Sequence, residues 1–257
     1  MPFTISHAAA ALPFRRTRLV MSALVIGCFG PDLEYFLWLR PHGHFGHTLP
    51  GLFLFDLPAC LAMLFLFHWY AKAPLVACLP VHLRERIHRD GRLEIRSISK
   101  FLLVCASIMV GVLTHVVWDS FTHDSYFLGR LLDLDFLREN VKLPVVGYRD
   151  WAMILQYASS VFGIVAMLVW FIYWYRHTPP DHLEKDSGFF SRERVVIGVA
   201  FVAAILVGLV RAAMGGLPTG VHGYQRFLTS TSISAIATFC LEILVYGFVH
   251  SRFKEET

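Results

Sequence analysis

The sequence predicts an all-α polytopic membrane protein with about six transmembrane helices, and three observations carry that prediction. Of its 257 residues, 56% are hydrophobic, and the mean hydropathy is +0.54. A soluble domain holds roughly 45–50% apolar residues. The apolar residues gather into runs at 19–39, 49–70, 101–121, 151–175, 195–214 and 233–249, each near the roughly 20 residues that cross a bilayer as a helix. Lys and Arg concentrate between alternate runs, most densely over 72–100. The positive-inside rule then places that loop and both termini in the cytoplasm of an inner-membrane protein.

The first run is the irregular one. Gly27, Gly30, Pro31, Asp32 and Glu34 interrupt it, so it reads as a tilted span, or as a broken or re-entrant one whose break lines a polar cavity. The preceding MPFTISHAAAALPFRR lacks the charged-then-apolar order of a cleaved signal peptide and belongs to the mature fold. Within 72–100, VHLRERIHRDGRLEI reads as an amphipathic helix beside the membrane. The net charge of +4 collects in this loop and calls for anionic lipid nearby rather than nucleic acid. Residues 122–150 form a lid-like connection on the outer side. No repeat or linker divides residues 1–257, which read as a single integral membrane domain. The five cysteines show no C-x-x-C spacing and read as packing thiols rather than disulfides or zinc ligands.

The chemistry concentrates in GVLTHVVWDSFTHDS, residues 111–125. His115 and Asp119 are four apart and share one helical face. An aspartate inside a membrane helix is costly and marks a functional site by default. An imidazole nitrogen beside a carboxylate oxygen suits a divalent ion such as zinc; a structural His–Asp hydrogen bond is the plainer reading. His123 and Asp124 follow as candidates for a general acid or for groups that orient a ligand. In RPHGHFGHTLPG, His42 and His44 read as a solvated loop. His47, at the entrance of the next helix, reads equally as a ligand or a cap. In GCFGPDLEYF, Asp32 is either a helix-start residue or a carboxylate bridging two cations beside Asp119. Arg149, Arg211 and Arg226 on the outer side are candidates to hold a phosphate, or residues that snorkel to the interface.

Four stretches carry a family resemblance: MPFTISHAAAALP at the start, GCFGPDLEYF at 27–36, GHTLPGLFLFDLP at 46–58 and HVVWDSFTH at 115–123. They resemble the DUF4184 family of bacterial membrane proteins. More distantly, the ordered set His7, Asp32, His47, His115 and Asp119 is similar to the predicted membrane-bound metal-dependent hydrolases (DUF457), and in order alone to zinc phospholipase C. The later H-x-x-x-E pair of the latter is missing here, which implies one or two zinc ions rather than three. What the resemblance implies is a metal-dependent hydrolase with those five residues as ligands. Its substrate would be an amphiphilic, membrane-associated molecule, such as a lipid phosphate, at the outer face. A transporter with a His/Asp ion path, or a membrane protein with a purely structural metal, remain alternatives. If residues 1–30 form a re-entrant hairpin, His7 returns to the other four; if they span, it lies across the membrane from them.

Overall fold

A computed structural model describes residues 4–40, 43–87, 93–122, 134–143, 147–181 and 191–255. Among them, five helices are long and apolar enough to cross a membrane: Leu49–Cys78, Ile98–Ser120, Trp151–His177, Arg192–Met214 and Gly223–Arg252. The protein is therefore an all-α polytopic membrane protein. The expected count of six falls to five because the first apolar run makes no long helix. Residues 4–38 form a 3-10 helix at Thr4–Arg16, a helix α1 at Met21–Gly27, a 3-10 turn at Gly30–Asp32, and a helix α2 at Leu33–Trp38. Pro31 has no amide to donate and its ring clashes with the carbonyl four residues back, that of Gly27. Gly27 and Gly30 lower helix propensity beside it, so the helix stops there.

The later elements are α3 (Leu49–Cys78), α4 (Ile98–Ser120), β1 (Asn140–Leu143), β2 (Gly147–Asp150), α5 (Trp151–His177), α6 (Arg192–Met214) and α7 (Gly220–Glu255). Helix α3 opens into π-helical turns at Leu52–Asp56 and Phe67–Ala71. Each precedes a proline, Pro58 and Pro74, whose ring displaces the carbonyl four residues earlier. Helix starts are capped by side chains: Thr48 accepts from the Gly51 amide at 3.2 Å, and Ser97 from the Lys100 amide at 3.2 Å.

The chain divides into two compact units. The first comprises Met1–Leu33, Gly43–Leu64 and Ile95–Trp174. Here the 3-10 helix and α1 form a hairpin laid along α4. The Val20 amide donates to Ser107 Oγ at 2.9 Å, near the middle of α4, while the Cys28 carbonyl meets His115 near its end. Gly27 faces the Ile108 carbonyl and Gly111 faces the Leu24 carbonyl, so closely that neither position admits a Cβ. Small residues thus let two helix backbones touch, as membrane helices commonly do. The 3-10 segment runs the other way: Ala11 packs with Leu24 and Cys28, and the Arg15 guanidinium lies 5.7 Å from the Tyr173 ring of α5. Thr4 Oγ1 donates to Asp32 Oδ2 at 2.6 Å, closing the hairpin at the end where it began. The re-entrant reading is the one the geometry follows.

The second unit comprises Glu34–His42, Phe65–Glu94 and Tyr175–Thr257. Gly208 of α6 abuts the Thr231 carbonyl of α7, and Gly247 of α7 abuts the Tyr70 carbonyl of α3. Arg194 ties α6 to the end of α3 by donating to the Cys78 and Leu79 carbonyls at 3.2 and 3.1 Å. Over 72–100 the expected amphipathic helix shrinks, among the described residues, to one turn at Val81–Arg84. The Arg84 guanidinium there turns back to the Ala77 carbonyl at 3.3 Å rather than to water. The described part of 122–150 includes a 3-10 turn at Asp135–Arg138 and an antiparallel ribbon pairing Asn140 with Asp150; the rest of the expected lid-like connection lies outside the described residues. Leu137 of that 3-10 turn is fully buried.

Candidate metal centre

Helix α4 shows how the site is built. Val104, Ile108, Val112 and Val116, with Ser107, Gly111, His115 and Asp119, form its buried stripe. The spacing of three and four residues makes them one face. His115 and Asp119 therefore continue an apolar stripe into the interior, and both are fully buried.

Three other segments bring the remaining groups. The 3-10 helix supplies His7, the turn after α1 supplies Asp32, and the loop capped by Thr48 supplies His47; all three are 3% exposed or less. His7 Nε2 lies 3.3 Å from Asp119 Oδ1, and His47 Nε2 lies 3.6 Å from Asp119 Oδ2. His115 Nε2 lies 3.5 Å from Asp119 Oδ2 and 3.6 Å from Asp32 Oδ1. The His7 and His115 rings stack with centroids 3.9 Å apart. Two triads, His7–Asp32–His115 and His47–His115–Asp119, each hold three ligand atoms within 4.8 Å of one another.

An N–H···O hydrogen bond spans roughly 2.7–3.2 Å, and the four separations of 3.3–3.6 Å lie at its long edge. Four donors about 2.0–2.1 Å from a tetrahedral zinc are about 3.3–3.4 Å from each other. Charge is compatible with the same reading, since two buried carboxylates carry the charge that one divalent cation neutralises. His115 is already oriented for it. Its Nδ1 lies 2.7 Å from the Cys28 carbonyl, an acceptor, so Nδ1 carries a proton and Nε2 is the nitrogen turned toward the two carboxylates. Burial, then the neighbouring His115, pushes His7 below the ordinary imidazole range, toward the neutral form that binds metal. One nitrogen binds one cation, so the two triads are alternatives for His115. Asp119, with an oxygen toward each of His7 and His47, would be the residue shared if the site held a second ion.

All five predicted ligands are thus brought together. His123 and Asp124, the candidate catalytic groups, lie outside the described residues, as does His42; His44 is exposed. Arg149 is on β2 opposite Val141. Arg211 and Arg226 belong to the second unit, where Arg211 Nε donates to the Leu39 carbonyl at 3.4 Å. Burial raises the Cys28 thiol to about 11, and neither triad includes it.

Two residues escaped the sequence reading. Thr4 holds the outer oxygen of Asp32, and nothing in its sequence neighbourhood signals that. Asp56 is fully buried in the first π turn of α3. A Cβ on Gly46, the residue before His47, would lie 2.8 Å from Asp56 Oδ1 and 3.1 Å from the Pro31 carbonyl. Asp56 thus sits where the His47 loop meets the Asp32 turn. Its signal was legible: a lone acid inside LFLFDLPACLAMLFL is as conspicuous as Asp119.

No curated protein and no solved structure matched the chain. A family model described as a domain of unknown function, DUF4184, matches residues 1–248, which include every clustered ligand. The chain therefore belongs to the DUF4184 family.

Proposed function

We propose that this protein is a zinc-dependent hydrolase of the bacterial inner membrane, acting on an amphiphilic, phosphate-containing lipid at the non-cytoplasmic face. The observation that carries the reading is the set of 3.3–3.6 Å separations among nitrogen and oxygen atoms of five buried residues. Three imidazoles and two carboxylates form the borderline donor set that zinc prefers. A bound zinc ion supplies water with a pKa near 7 and polarises a phosphoryl oxygen. His47, His115 and Asp119 hold the ion, His7 and Asp32 complete or extend the site, and the Cys28 carbonyl and Thr4 orient His115 and Asp32. His123 and Asp124, just beyond α4, are the candidates to move protons, and Arg149 is the phosphate candidate in the same unit.

Sidedness follows from the charge pattern. The basic 72–100 stretch belongs in the cytoplasm, and α4 runs from it to the cluster, so the cluster faces outward. Residue 4 then lies on the outer side, because the hairpin enters and leaves beside the cluster. Five crossings instead of six place residue 255 in the cytoplasm, opposite to it.

A second reading has one observation in its favour. Burial of all five groups also suits a zinc ion that only ties the hairpin to α3 and α4. The deciding experiment offers the zinc-loaded protein phosphatidic acid and phosphodiester lipids with and without chelator. Chelator-sensitive release of phosphate or headgroup supports the hydrolase. Zinc retention without turnover on any lipid leaves the structural tie.

A further inference from the structure

Beside the cluster, α4 and α5 enclose an apolar groove of about 680 Å³, within the roughly 300–1,000 Å³ of small-molecule sites. Val110, Leu113, Val117, Phe121, Ala158 and Phe162 form most of its wall. Its hydroxyl groups are turned back to their own helices. Thr114 donates to the Gly111 carbonyl at 2.7 Å, Thr122 to that of Asp119 at 3.2 Å, and Ser159 to that of Gln156 at 3.2 Å. Among the described residues the groove therefore offers an apolar lining, with no charged side chain in its wall. It opens sideways, since Leu113, Val117 and Phe162 are 49%, 45% and 65% exposed on helices of membrane-spanning hydropathy.

Trp118 joins the groove to the cluster. It lies between His115 and Asp119 in the chain, meets the His7 ring edge-on at 5.5 Å, and packs against Phe162 at 6.4 Å on the groove side. Gly163 of α5 is in contact with Ser6, next to His7, so both groove helices and the ligand-bearing hairpin meet there. A polar, metal-ligating centre and a purely apolar slot thus share one indole wall. That is the complement of a molecule with a charged head and a hydrocarbon tail.

We infer that this groove holds one acyl or isoprenoid chain of the lipid whose polar head is presented to the His/Asp cluster. The inference rests on the hydrolase reading for the head and on the groove itself for the chain. Chain length and branching are then read by α4 and α5, and headgroup chemistry by the cluster. Filling the groove lowers lipid capture without touching a ligand.

The test uses the full chain reconstituted in phosphatidylcholine vesicles containing phosphatidic acid with a diazirine on one acyl chain. After irradiation, labelled residues are mapped by mass spectrometry. Adducts are expected to concentrate on the groove faces of α4 and α5 and to be competed by unlabelled long-chain phosphatidic acid. Ala158→Phe and Val117→Trp should each lower them about tenfold, as when two methylene groups lose their burial, with zinc content unchanged. Val169→Trp, on an exposed part of α5, should leave them unchanged. Uniform, uncompeted labelling along the apolar faces of α5 and α6 overturns the inference, as does cross-linking of Leu113 or Phe162 to a second copy of the chain. Saturable groove labelling without chelator-sensitive turnover sinks the hydrolase reading and leaves the groove as a lipid site, so the two failures are distinguishable.

Discussion

Helices α4 and α6 have the same length, 23 residues, and both are apolar enough to cross a membrane. By hydropathy they are interchangeable membrane spans. They differ in what they bury. In α4 the buried stripe ends in His115 and Asp119; in α6 the buried residues are Ile197, Ala204, Gly208 and Ala212. Both use a glycine to bring a neighbouring backbone close, Gly111 against Leu24 and Gly208 against Thr231. The same packing device therefore serves two ends. In α6 it joins helices, and in α4 it also sets the Cys28 carbonyl against His115. A span becomes a site when ionisable groups lie on its buried stripe and other segments bring partners to them.

The largest contrast between the helices comes from the ligands. Asp119→Ala removes the carboxylate shared by all three histidines and should abolish stoichiometric zinc. Loss of a ligand exceeds the roughly 10–100-fold effect of changing an orienting group. Any ionisable residue of the second unit, such as Glu242→Gln, should leave zinc content at the wild-type value, measured by elemental mass spectrometry.

The glycine pair sharpens the comparison next. Gly111→Val forces α1 from α4 and should cost about 1–3 kcal/mol by overpacking, with zinc affinity reduced because the His115 acceptor moves. Gly208→Val should cost a similar amount of thermal stability while leaving zinc affinity intact. Equal zinc loss in both variants would show that general destabilisation, rather than the α1–α4 contact, governs the site.

A smaller effect is expected at Thr4. Thr4→Val deletes the donor to Asp32 Oδ2 and should weaken zinc binding about tenfold in a chelator competition, with Thr4→Ser restoring it. Smaller still is Ser97→Ala at the start of α4, a lost cap worth about 1 kcal/mol, with no change in zinc affinity. If that variant lost zinc as readily as Thr4→Val, the cluster would depend on α4 stability alone.

The sequence made some of this visible and hid the rest for physical reasons. His115 and Asp119 were legible because helical periodicity is local. His47 was ambiguous, since a helix entrance serves capping and ligation equally. The end of α1 was legible in Gly27, Gly30 and Pro31. Whether the run spans or re-enters stayed open, because overall hydropathy does not register a helix cut to seven residues. The 3-10 form of Thr4–Arg16 runs against the high helix propensity of its four consecutive alanines; contact with Leu24, Cys28 and Gly163 overrides it. The meeting of His7 with His115 is a long-range contact that no local pattern encodes. Asp56 was legible by the rule applied to Asp119 and was passed over.

X-ray absorption at the zinc edge of the purified wild-type protein tests the central claim most directly. The account predicts about one to two zinc ions per chain, with a first shell of nitrogen and oxygen at about 2.0–2.1 Å, imidazole scattering and no sulfur. A metal-free protein after growth and loading with zinc, or a shell containing sulfur at about 2.3 Å, would contradict it.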